Sequence, residues 1–342
     1  MAITILDTMR DLLYMSQLMH QVRLKSNVIH ECALHKEDYI PLVSIIIPTC
    51  NNKGLLAKCL CSVSRLDYSN LETIVVDNAS SDDTSKLVLE RFPGVKILRS
   101  ERNLGFAAGS NLGIRNAMGT YLIILNDDLV VEPHFVSRLV EAMEAEPRAA
   151  LGSCKIYDMK REGKIFQNAG GFINNLGYPI ARGCGEIDRD QYNRLDEVEW
   201  VPGGCTIMRK KCLEAIGLFD DSFFVYYEDT DLSFRARKAG YKVIYIPTTF
   251  SWHWGCGVTK RHWRYKVYGN RNRIRFLLRY FGSTLTARAI AWDLWNISPG
   301  RAPYLLIALF WNYPILLSAM FPIFHVKHQE VDRKTYSKQD LL

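Results

Sequence analysis

Short apolar runs alternate with amphipathic stretches over residues 42–125 of the chain. The runs are VSIIIPT, LETIVVD, VKILR and YLIIL. Such runs are typical of strands, and the stretches between them, at residues 55–65 and 84–92, have the spacing of helices. A strand and helix succession predicts a parallel sheet with helices on both faces. The sequence therefore predicts an α/β fold with a Rossmann-like, mixed but mostly parallel sheet.

Carboxylates follow two of these predicted strands. Asp77 closes the second strand, and the apolar run of residues 121–131 is interrupted by Asn126, Asp127 and Asp128. Open α/β sheets bind ligands at the carboxyl ends of their strands, so three carboxylates could converge on one ligand there. Such oxygen ligands suit Mg²⁺ or Mn²⁺ held together with nucleotide phosphates. Helix caps and turns are the alternative, because Asp and Asn favour both, and the polar cluster after Asp77 is predicted to cap the next helix.

Two glycine-containing segments are candidates for a close approach of backbone to ligand. Residues 103–111 are predicted as a loop in which Gly105 and Gly109 permit this approach. Gly203 and Gly204 would permit a similarly tight approach to a ligand in the second half, with an ordinary turn as the alternative. No G-x-G-x-x-G follows the first strand, which argues against a dehydrogenase.

The two ends of the chain differ from its middle. Residues 1–41 show amphipathic spacing and are predicted to form a helical extension. Residues 260–279 are strongly basic, and residues 302–325 contain no Asp, Glu, Lys or Arg. We expect residues 257–342 to be helical and membrane-associated, with the basic stretch on anionic headgroups. Packing of the uncharged segment on the protein is the alternative, and Pro314 and Pro322 argue against one straight span.

The overall composition is that of a globular protein, with 48% hydrophobic residues, 23% charged residues and a formal net charge of +7. Nine cysteines without a C-x-x-C pair indicate free thiols in a reducing compartment. Asp7, Arg10 and Asp11 interrupt any signal-peptide core, so we expect the enzyme at the cytoplasmic face of the membrane. No nucleic-acid-binding motif accompanies the basic stretch, so no nucleic-acid partner is expected.

Four motifs in order resemble glycosyltransferase family 2, the inverting sugar-nucleotide transferases of GT-A fold. They are SIIIPTCNN, IVVDNASSDDT, NLGFAAGSNLGI and LNDDLVVEP, which matches the family's D-x-D element. The LNDD form and the NLGFAAGSN segment most resemble the rhamnosyltransferase-like members. The resemblance covers residues 42–254 and implies a catalytic domain at residues 42–256. Residues 42–132 would form its nucleotide-sugar half and residues 133–256 its acceptor half.

The resemblance also implies roles for individual residues. Asp127 and Asp128 would hold the metal and the diphosphate, with His253 as a further metal ligand. Asp229 of the E-D element would be the general base that takes the proton of the acceptor hydroxyl. Asn126 stands where many relatives carry a third aspartate, so one negative charge is missing. Together with the glycines, the candidate donor-binding residues are Thr49, Asn51, Asp77, Asn103, Gly105, Asn126, Asp127 and Gly204.

The predicted function is inverting, metal-dependent transfer of a sugar, with rhamnose as a candidate, from a nucleotide-diphosphate donor. The acceptor would be a hydroxyl of a glycan or lipid-linked glycan in cell-surface polysaccharide or glycoconjugate synthesis. One alternative is a nucleotidyltransferase, although PTCNNKG is a poor phosphate loop. The other is a non-enzymatic, membrane-tethered scaffold that binds sugar nucleotides. The sequence leaves the oligomer state open.

Overall fold

The computed structural model describes residues 40–255 and 263–320 of the chain. The helical extension predicted for residues 1–41 lies almost wholly outside the described residues. So do the start of the basic stretch, at residues 260–262, and the end of the uncharged segment, at residues 321–325.

The first half of the described chain alternates strands and helices as predicted. Its elements are β1 (Val43–Thr49), α1 (Lys53–Val63), β2 (Leu71–Asp77), α2 (Thr84–Arg91), β3 (Lys96–Arg99), α3 (Gly105–Arg115), β4 (Tyr121–Leu125) and β5 (Leu129–Val131). Strand β1 pairs in parallel with β2 and β4, and β2 pairs in parallel with β3. Every residue of β1 and β4 is buried, as expected for strands covered on both faces.

The second half adds strands of both directions to the same sheet. Its elements are α4 (Phe135–Ala145), β6 (Ala149–Asp158), β7 (Phe166–Asn168), β8 (Gly171–Ile173), β9 (Pro179–Ala181), β10 (Asp196–Glu197), β11 (Cys205–Arg209), α5 (Lys210–Ile216), α6 (Glu228–Lys238) and β12 (Lys242–His253). The strand order is β10-β12-β6-β11-β4-β1-β2-β3, with β5 paired to β12 and β7 to β6. Strand β11 is antiparallel to β4 and β6. The predicted mixed α/β sheet is confirmed, and each antiparallel pairing involves the second half.

Helices cover both faces of the sheet, as predicted. Successive side chains of a strand point to opposite faces, and β1 shows the result. Ile45 and Ile47 lie in one core layer with residues of α1 and α4 such as Leu60 and Phe135. Ile46 lies in the other layer, with residues of α3, α5 and α6.

The segment of residues 103–111, predicted as a loop, is helical from Gly105 onwards. Gly105 has a φ of +82°, and a Cβ there would lie 2.5 Å from the carbonyl oxygen of Phe224. Gly109 lies inside α3, where a Cβ would lie 2.7 Å from the amide nitrogen of Asn78. The loop prediction is wrong because these glycines permit close packing of α3 rather than an irregular backbone.

The polar cluster after β2 does not cap α2 in the predicted way. Asp83 precedes the helix with a φ of 60° and makes no side-chain cap hydrogen bond. Asp82 accepts instead from the hydroxyl of Thr84 and from the backbone N–H of Lys53, the first residue of α1. The cluster therefore ties the start of α2 to the start of α1.

Three further helices follow the sheet, namely α7 (Trp263–Tyr280), α8 (Gly282–Trp295) and α9 (Ala302–Met320). Helix α9 contains Pro314 and packs against α7. Its residues Leu305 and Asn312 are buried, whereas Phe310 is 81% exposed. Within residues 40–255 and 263–320, no helix is long and apolar enough to cross a membrane.

The basic stretch places several of its arginines inside the protein. Arg271 and Arg273 are buried, and Arg273 forms an ion pair with Asp293 of α8. Arg279 Nη2 lies 2.7 Å from Asp220 Oδ2. The expectation that this stretch as a whole lies on headgroups is therefore wrong for these residues, because their guanidinium groups already bond to acids and carbonyl groups of the protein.

Candidate active site

Asp127 lies at the end of β4, beside the end of β1. Its carboxylate accepts hydrogen bonds from Thr49 Oγ1 at 2.6 Å and from Asn52 Nδ2 at 2.8 Å. Burial raises the pKa of Asp127 to about 7, although the two hydrogen bonds act in the opposite direction. A cation beside this carboxylate would favour its charged form.

Asp128 faces His253 at the end of β12. The distance between Asp128 Oδ1 and His253 Nε2 is 3.0 Å, and His253 Nδ1 lies 2.6 Å from Gln167 Oε1. The Gln167 oxygen can only accept, so Nδ1 carries a proton and Nε2 is the ring nitrogen that faces Asp128. A proton on Nε2 or a cation between the two atoms would account for their separation.

This pair fits a divalent metal ion. Adjacent ligands of an octahedral ion, with bonds of about 2.1 Å, lie about 3.0 Å apart. The described residues contain no group of three or more His, Cys, Asp or Glu arranged for a metal. One reason is that both oxygens of Asp127 bond to side chains of β1 and the turn after it. Asp128 and His253 are therefore the residues that could hold a metal, with Asp127 next to them.

Asp127 and Asp128 mark one edge of the sheet, the acidic edge. A pair of glycines joins this acidic edge to Asp229. The carbonyl oxygen of Gly204 accepts from the backbone N–H of Asn126 at 2.7 Å. The backbone N–H of Gly203 donates to Asp229 Oδ2 at 3.0 Å. A Cβ at position 204 would lie 2.3 Å from Cγ of Asn126, so only glycine fits there.

Asp229 is the second residue of α6. Its Oδ1 accepts from the backbone N–H of Thr230 at 2.7 Å, and its Oδ2 faces the glycine pair. Burial raises the pKa of Asp229 above the ordinary range of an aspartate. The neighbouring Glu228 is buried, which raises the pKa of its carboxyl well above the usual value. A raised pKa brings Asp229 towards the range in which a carboxylate is an effective general base at neutral pH.

Asp77 lies at the same edge of the sheet, in a different set of contacts. Its fully buried carboxylate accepts from the backbone N–H of Ser80 at 2.8 Å, from the hydroxyl of Ser85, and from Arg99 Nη1 at 2.7 Å. The parallel register of β2 and β3 places Asp77 opposite Arg99. Asp77 therefore fixes the loop after β2 and orients the half-exposed side chain of Arg99.

Asn51 and Asn103 lie on loops that contact one another. Asn51 has a φ of 53°, and its side-chain oxygen accepts from the backbone N–H of Ser81 at 2.7 Å. Asn103 Nδ2 lies 3.4 Å from the sulfur of Cys50, and its Oδ1 accepts from the N–H of Gly105 at 2.8 Å. The turn after β1, the loop after β2 and the start of α3 therefore meet.

The structure brings the predicted residues into two adjoining groups. Burial raises the pKa of Cys50, and the charges of both Asp77 and Asp127 add to this effect, so Cys50 lies between the groups. The first group contains Thr49, Asn126, Asp127, Asp128, Gly204, Asp229 and His253. The second contains Asn51, Asp77, Asn103 and Gly105.

Three residues of this site were not predicted from the sequence: Asn52, Arg99 and Gln167. Asn52 stands in the quoted PTCNN turn, and Arg99 ends a predicted strand beside Asp77, so motif position and strand register could have indicated both. Gln167 belongs to no motif. Only the pairing of β7 with β6 brings it to His253.

Comparison with solved structures identifies this fold as that of a glycosyltransferase. The chain is similar to GalNAc-T7 with UDP, GalNAc and Mn²⁺, with a TM-score of 0.57 and 16% identity over 70% of this chain and 48% of that chain. It is also similar to the mannosyltransferase PcManGT from Pyrobaculum calidifontis in complex with GDP-Man and Mn²⁺, with a TM-score of 0.52 and 18% identity over 83% of this chain and 88% of that chain. Likeness at these identities establishes the fold alone.

The sequence comparisons then establish the family. The model of Glycosyl transferase family 2 matches residues 44–217, half of the chain. One relative is the N-acetylglucosaminyl-diphospho-decaprenol L-rhamnosyltransferase of Mycobacterium tuberculosis, 27% identical over 234 residues, 62% of this chain and 74% of the relative. The chain belongs to glycosyl transferase family 2. The prediction made from the four motifs is confirmed, and the enzyme is a glycosyltransferase.

Replacing Gly204 with alanine should disturb the acidic edge, because the added methyl group would overlap the Asn126 side chain. We expect the free energy of unfolding to fall by about 1–3 kcal/mol, as for other overpacked sites, and transfer activity to fall with it. Gly54→Ala is the matched control, because nothing lies within 4 Å of its added Cβ. Chemical denaturation and transfer assays check this, and equal behaviour of the two variants would contradict it.

Proposed function

We propose that this glycosyltransferase moves a sugar from a nucleoside diphosphate to a hydroxyl group of a glycan or lipid-linked glycan, with inversion at the anomeric carbon. The observation that carries the proposal is the glycine pair. Gly203 N lies 3.0 Å from Asp229 Oδ2, and Gly204 O lies 2.7 Å from Asn126 N. One backbone segment thus holds a buried carboxylate next to the acidic edge. An inverting transferase needs both parts: a base that takes the proton of the acceptor hydroxyl, and a site that binds the diphosphate of the donor.

Asp229 would take the proton of the acceptor hydroxyl as its oxygen attacks the anomeric carbon. Attack comes from the face opposite the departing diphosphate, which is why the configuration inverts. Burial makes Asp229 more basic than an ordinary aspartate, and the N–H groups of Gly203 and Thr230 hold its carboxylate in place. A second carboxylate acting as a nucleophile, as in retaining hydrolases, is not needed.

Asp128 and His253 would hold the divalent metal, with Asp127 beside them. When bound, the metal would serve as a Lewis acid that neutralises negative charge developing on the leaving diphosphate. Gln167 fixes the imidazole ring so that its Nε2 faces Asp128, as supporting residues do at metal sites. An imidazole ligand favours Mn²⁺ over Mg²⁺, because Mg²⁺ is bound almost entirely by oxygen.

The donor nucleoside would lie along the second group of residues, at the ends of β1 and β2 and the start of α3. Three donors of the protein already bond to the Asp77 carboxylate, so we assign it an indirect role in which it fixes Arg99 and the loop after β2 beside the nucleoside. Asn51 and Asn103 complete this side of the site, and Thr49, which bonds to Asp127, borders it. Residues 42–132 would thus form the donor half and residues 133–256 the acceptor half.

A lipid-linked acceptor is supported by the relative from Mycobacterium tuberculosis, which is named as a rhamnosyltransferase of N-acetylglucosaminyl-diphospho-decaprenol. For this chain we propose an acceptor of the same class, in cell-surface polysaccharide or glycoconjugate synthesis. Rhamnose from a thymidine diphosphate donor is the candidate sugar, with uridine diphosphate sugars as the next choice. Family membership favours this reaction over nucleotidyl transfer.

Asp229→Asn should bind the donor like the wild type but lose transfer, because an amide cannot take the proton. We expect kcat to fall by at least about a hundredfold, within the range of general-base contributions. Burial raises the pKa of Asp229, so its protonated, inactive form persists to higher pH than for an ordinary aspartate. Wild-type transfer should therefore decline as pH is lowered through this raised value. Substantial transfer by the variant, or a product with retained configuration by NMR, would refute the assignment.

A thermal-shift series with uridine, thymidine and guanosine diphosphates, with and without Mn²⁺, tests the donor and metal assignments. A nucleotide at a hundred times its dissociation constant should add about 2.7 kcal/mol of stability. His253→Ala should remove the part of this gain that depends on Mn²⁺. His134→Ala is the control, because His134 lies on the surface and pairs with Asp67. Absence of any nucleotide effect on folded protein would favour the scaffold alternative, and an unchanged Mn²⁺ response in His253→Ala would remove His253 from the metal site.

We further propose that α8 and α9 contact a membrane surface at its cytoplasmic face. Apolar and aromatic side chains are exposed on both helices, and Trp295 and Phe310 are 88% and 81% exposed. The exposed cations of residues 263–320 include Lys266, Arg288 and Arg301. The single acid of this range, Asp293, is paired with Arg273. Trp and Tyr side chains beside an excess of positive charge suit an anionic interface.

Vesicle flotation of the full-length protein tests this contact. We expect binding to vesicles that contain phosphatidylglycerol, less binding to pure phosphatidylcholine, and loss of binding in the variant Trp295→Ser/Phe310→Ser. Met118→Ser is the matched control, because Met118 is a 72% exposed apolar residue outside these helices. Unchanged flotation of the double variant would place the contact elsewhere. Conversion of a dimer to a monomer, measured by light scattering, would show that a second copy covers this surface.

A further inference from the structure

The loop between α5 and α6 reaches Asp229 through an unusual backbone. Phe224, Tyr226 and Tyr227 all have positive φ, at 64°, 67° and 71°. Phe224 has a ψ of −59°, and the N–H of Val225 bonds to the carbonyl of Phe223 at 2.7 Å. These values describe a γ-turn of the rare, strained type. Side chains of L residues seldom adopt such conformations, so the surrounding structure must impose them.

A single buried amide on α7 contacts three carbonyl groups of this loop. Asn272 Nδ2 lies 2.9 Å from Phe223 O, 2.9 Å from Val225 O and 2.8 Å from Tyr226 O. An amide nitrogen has two hydrogens, so at least one is shared between two carbonyls. Asn272 is fully buried, and its Oδ1 accepts from Arg271 Nε at 2.8 Å. The amide is thereby oriented with its donor end towards the loop.

Arg271 strengthens the same contact. Its Nη2 lies 2.6 Å from Ser222 O and 3.1 Å from Phe223 O. Its own backbone carbonyl accepts from Asn312 Nδ2 of α9 at 3.0 Å. Four carbonyls of the loop therefore converge on two neighbouring side chains of α7. These carbonyls belong to Ser222, Phe223, Val225 and Tyr226. Helix α9 supports this contact from behind.

The loop held in this way touches both sides of the active site. The carbonyl of Phe224 accepts from the N–H of Phe106 at 2.7 Å and from that of Ala107 at 3.2 Å, at the start of α3. Tyr227 directly precedes α6, whose second residue is Asp229. A change in the loop would therefore alter the direction in which α6 presents its first turn.

We propose that Asn272 is a positioning residue for glycosyl transfer: its amide holds the strained loop of residues 222–227 and thereby places the carboxylate of Asp229 against Gly203. This inference rests on the role proposed above for Asp229. It assigns a catalytic purpose to the helix that carries the basic stretch. It also explains why an uncharged, fully buried side chain stands between two arginines there.

Asn272→Asp tests the proposal. The aspartate keeps the shape of the side chain and the oxygen that accepts from Arg271, but an acceptor oxygen replaces the amide nitrogen that donates to the three loop carbonyls. We expect kcat to fall at least about tenfold, with the donor KM and the nucleotide dissociation constant changed less than about threefold. The acid limb of the pH profile should move to lower pH, because a displaced Asp229 is less buried and its pKa falls back towards the usual value. The matched control is Asn270→Asp on the same helix, where the Asn270 side chain donates to Lys266 O of its own helix.

Each outcome decides the matter. Wild-type kcat and pH profile in folded Asn272→Asp would overturn the proposal, as would an activity loss that only follows the fraction of unfolded protein. Should this variant fail to fold, Asn272→Ser, which keeps one donor, is measured in the same way and should show an intermediate kcat. Asp229→Asn is assayed in parallel. If it retains transfer, the proposed base is wrong, whereas an inactive Asp229→Asn beside a fully active Asn272→Asp refutes the positioning role alone.

Discussion

Two hydrogen bonds of adjacent glycines join the two parts of the proposed active site: the N–H of Gly203 donates to Asp229, and the carbonyl of Gly204 accepts from Asn126. They exist because β11 runs antiparallel to β4, so that Cys205 at its start pairs with Leu125 at the end of β4. The glycines that precede β11 therefore lie at the acidic edge. Had β11 run parallel to β4, its carboxyl end would have lain there and its first residues at the opposite edge. His253 lies at the same edge because β12, which is parallel to β6, runs in the direction of β4 and has its carboxyl end there. The reversed direction of β11 is thus what brings the glycines to the edge that His253 and the aspartates already share.

The C-terminal helices illustrate how one charge pattern can serve two purposes. In α7, Arg271 bonds to carbonyls of the loop before α6 and Arg279 pairs with Asp220, which joins this helix to the catalytic part. Arg273 pairs instead with Asp293 of α8. Burying a guanidinium group is costly unless it is paired, so these contacts hold α7 against its neighbours. The exposed cations and aromatic side chains belong to the other side of the same helical unit.

The sequence predicted the first half of the fold well, because strands buried on both faces form unmistakable apolar runs, as in β1 and β4. The polar residues at the ends of those strands could be identified for the same reason. Gln167 and Asn272 could not, since each acts through tertiary contacts to segments far away in the chain. The start of α3 was mistaken for a loop because glycine is ambiguous: it signals irregular backbone and close helix packing alike. The prediction that the whole basic stretch lies on headgroups was wrong for its buried arginines, because charge alone does not distinguish a solvated arginine from one that bonds to buried carbonyls.

The start of α3 has one more consequence. Helix N-termini after glycine-rich segments often bind phosphate, because their first N–H groups are unpaired and the helix dipole is positive there. Here the N–H groups of Leu104 and Gly105 bond to Asn78 and Asn103, and those of Phe106 and Ala107 bond to the carbonyl of Phe224. The helix dipole is thus screened by the protein's own oxygen atoms, and an anion would find no vacant donor at this point. A diphosphate bound by this chain would therefore need side chains or a cation, and not the first N–H groups of α3, to balance its charge.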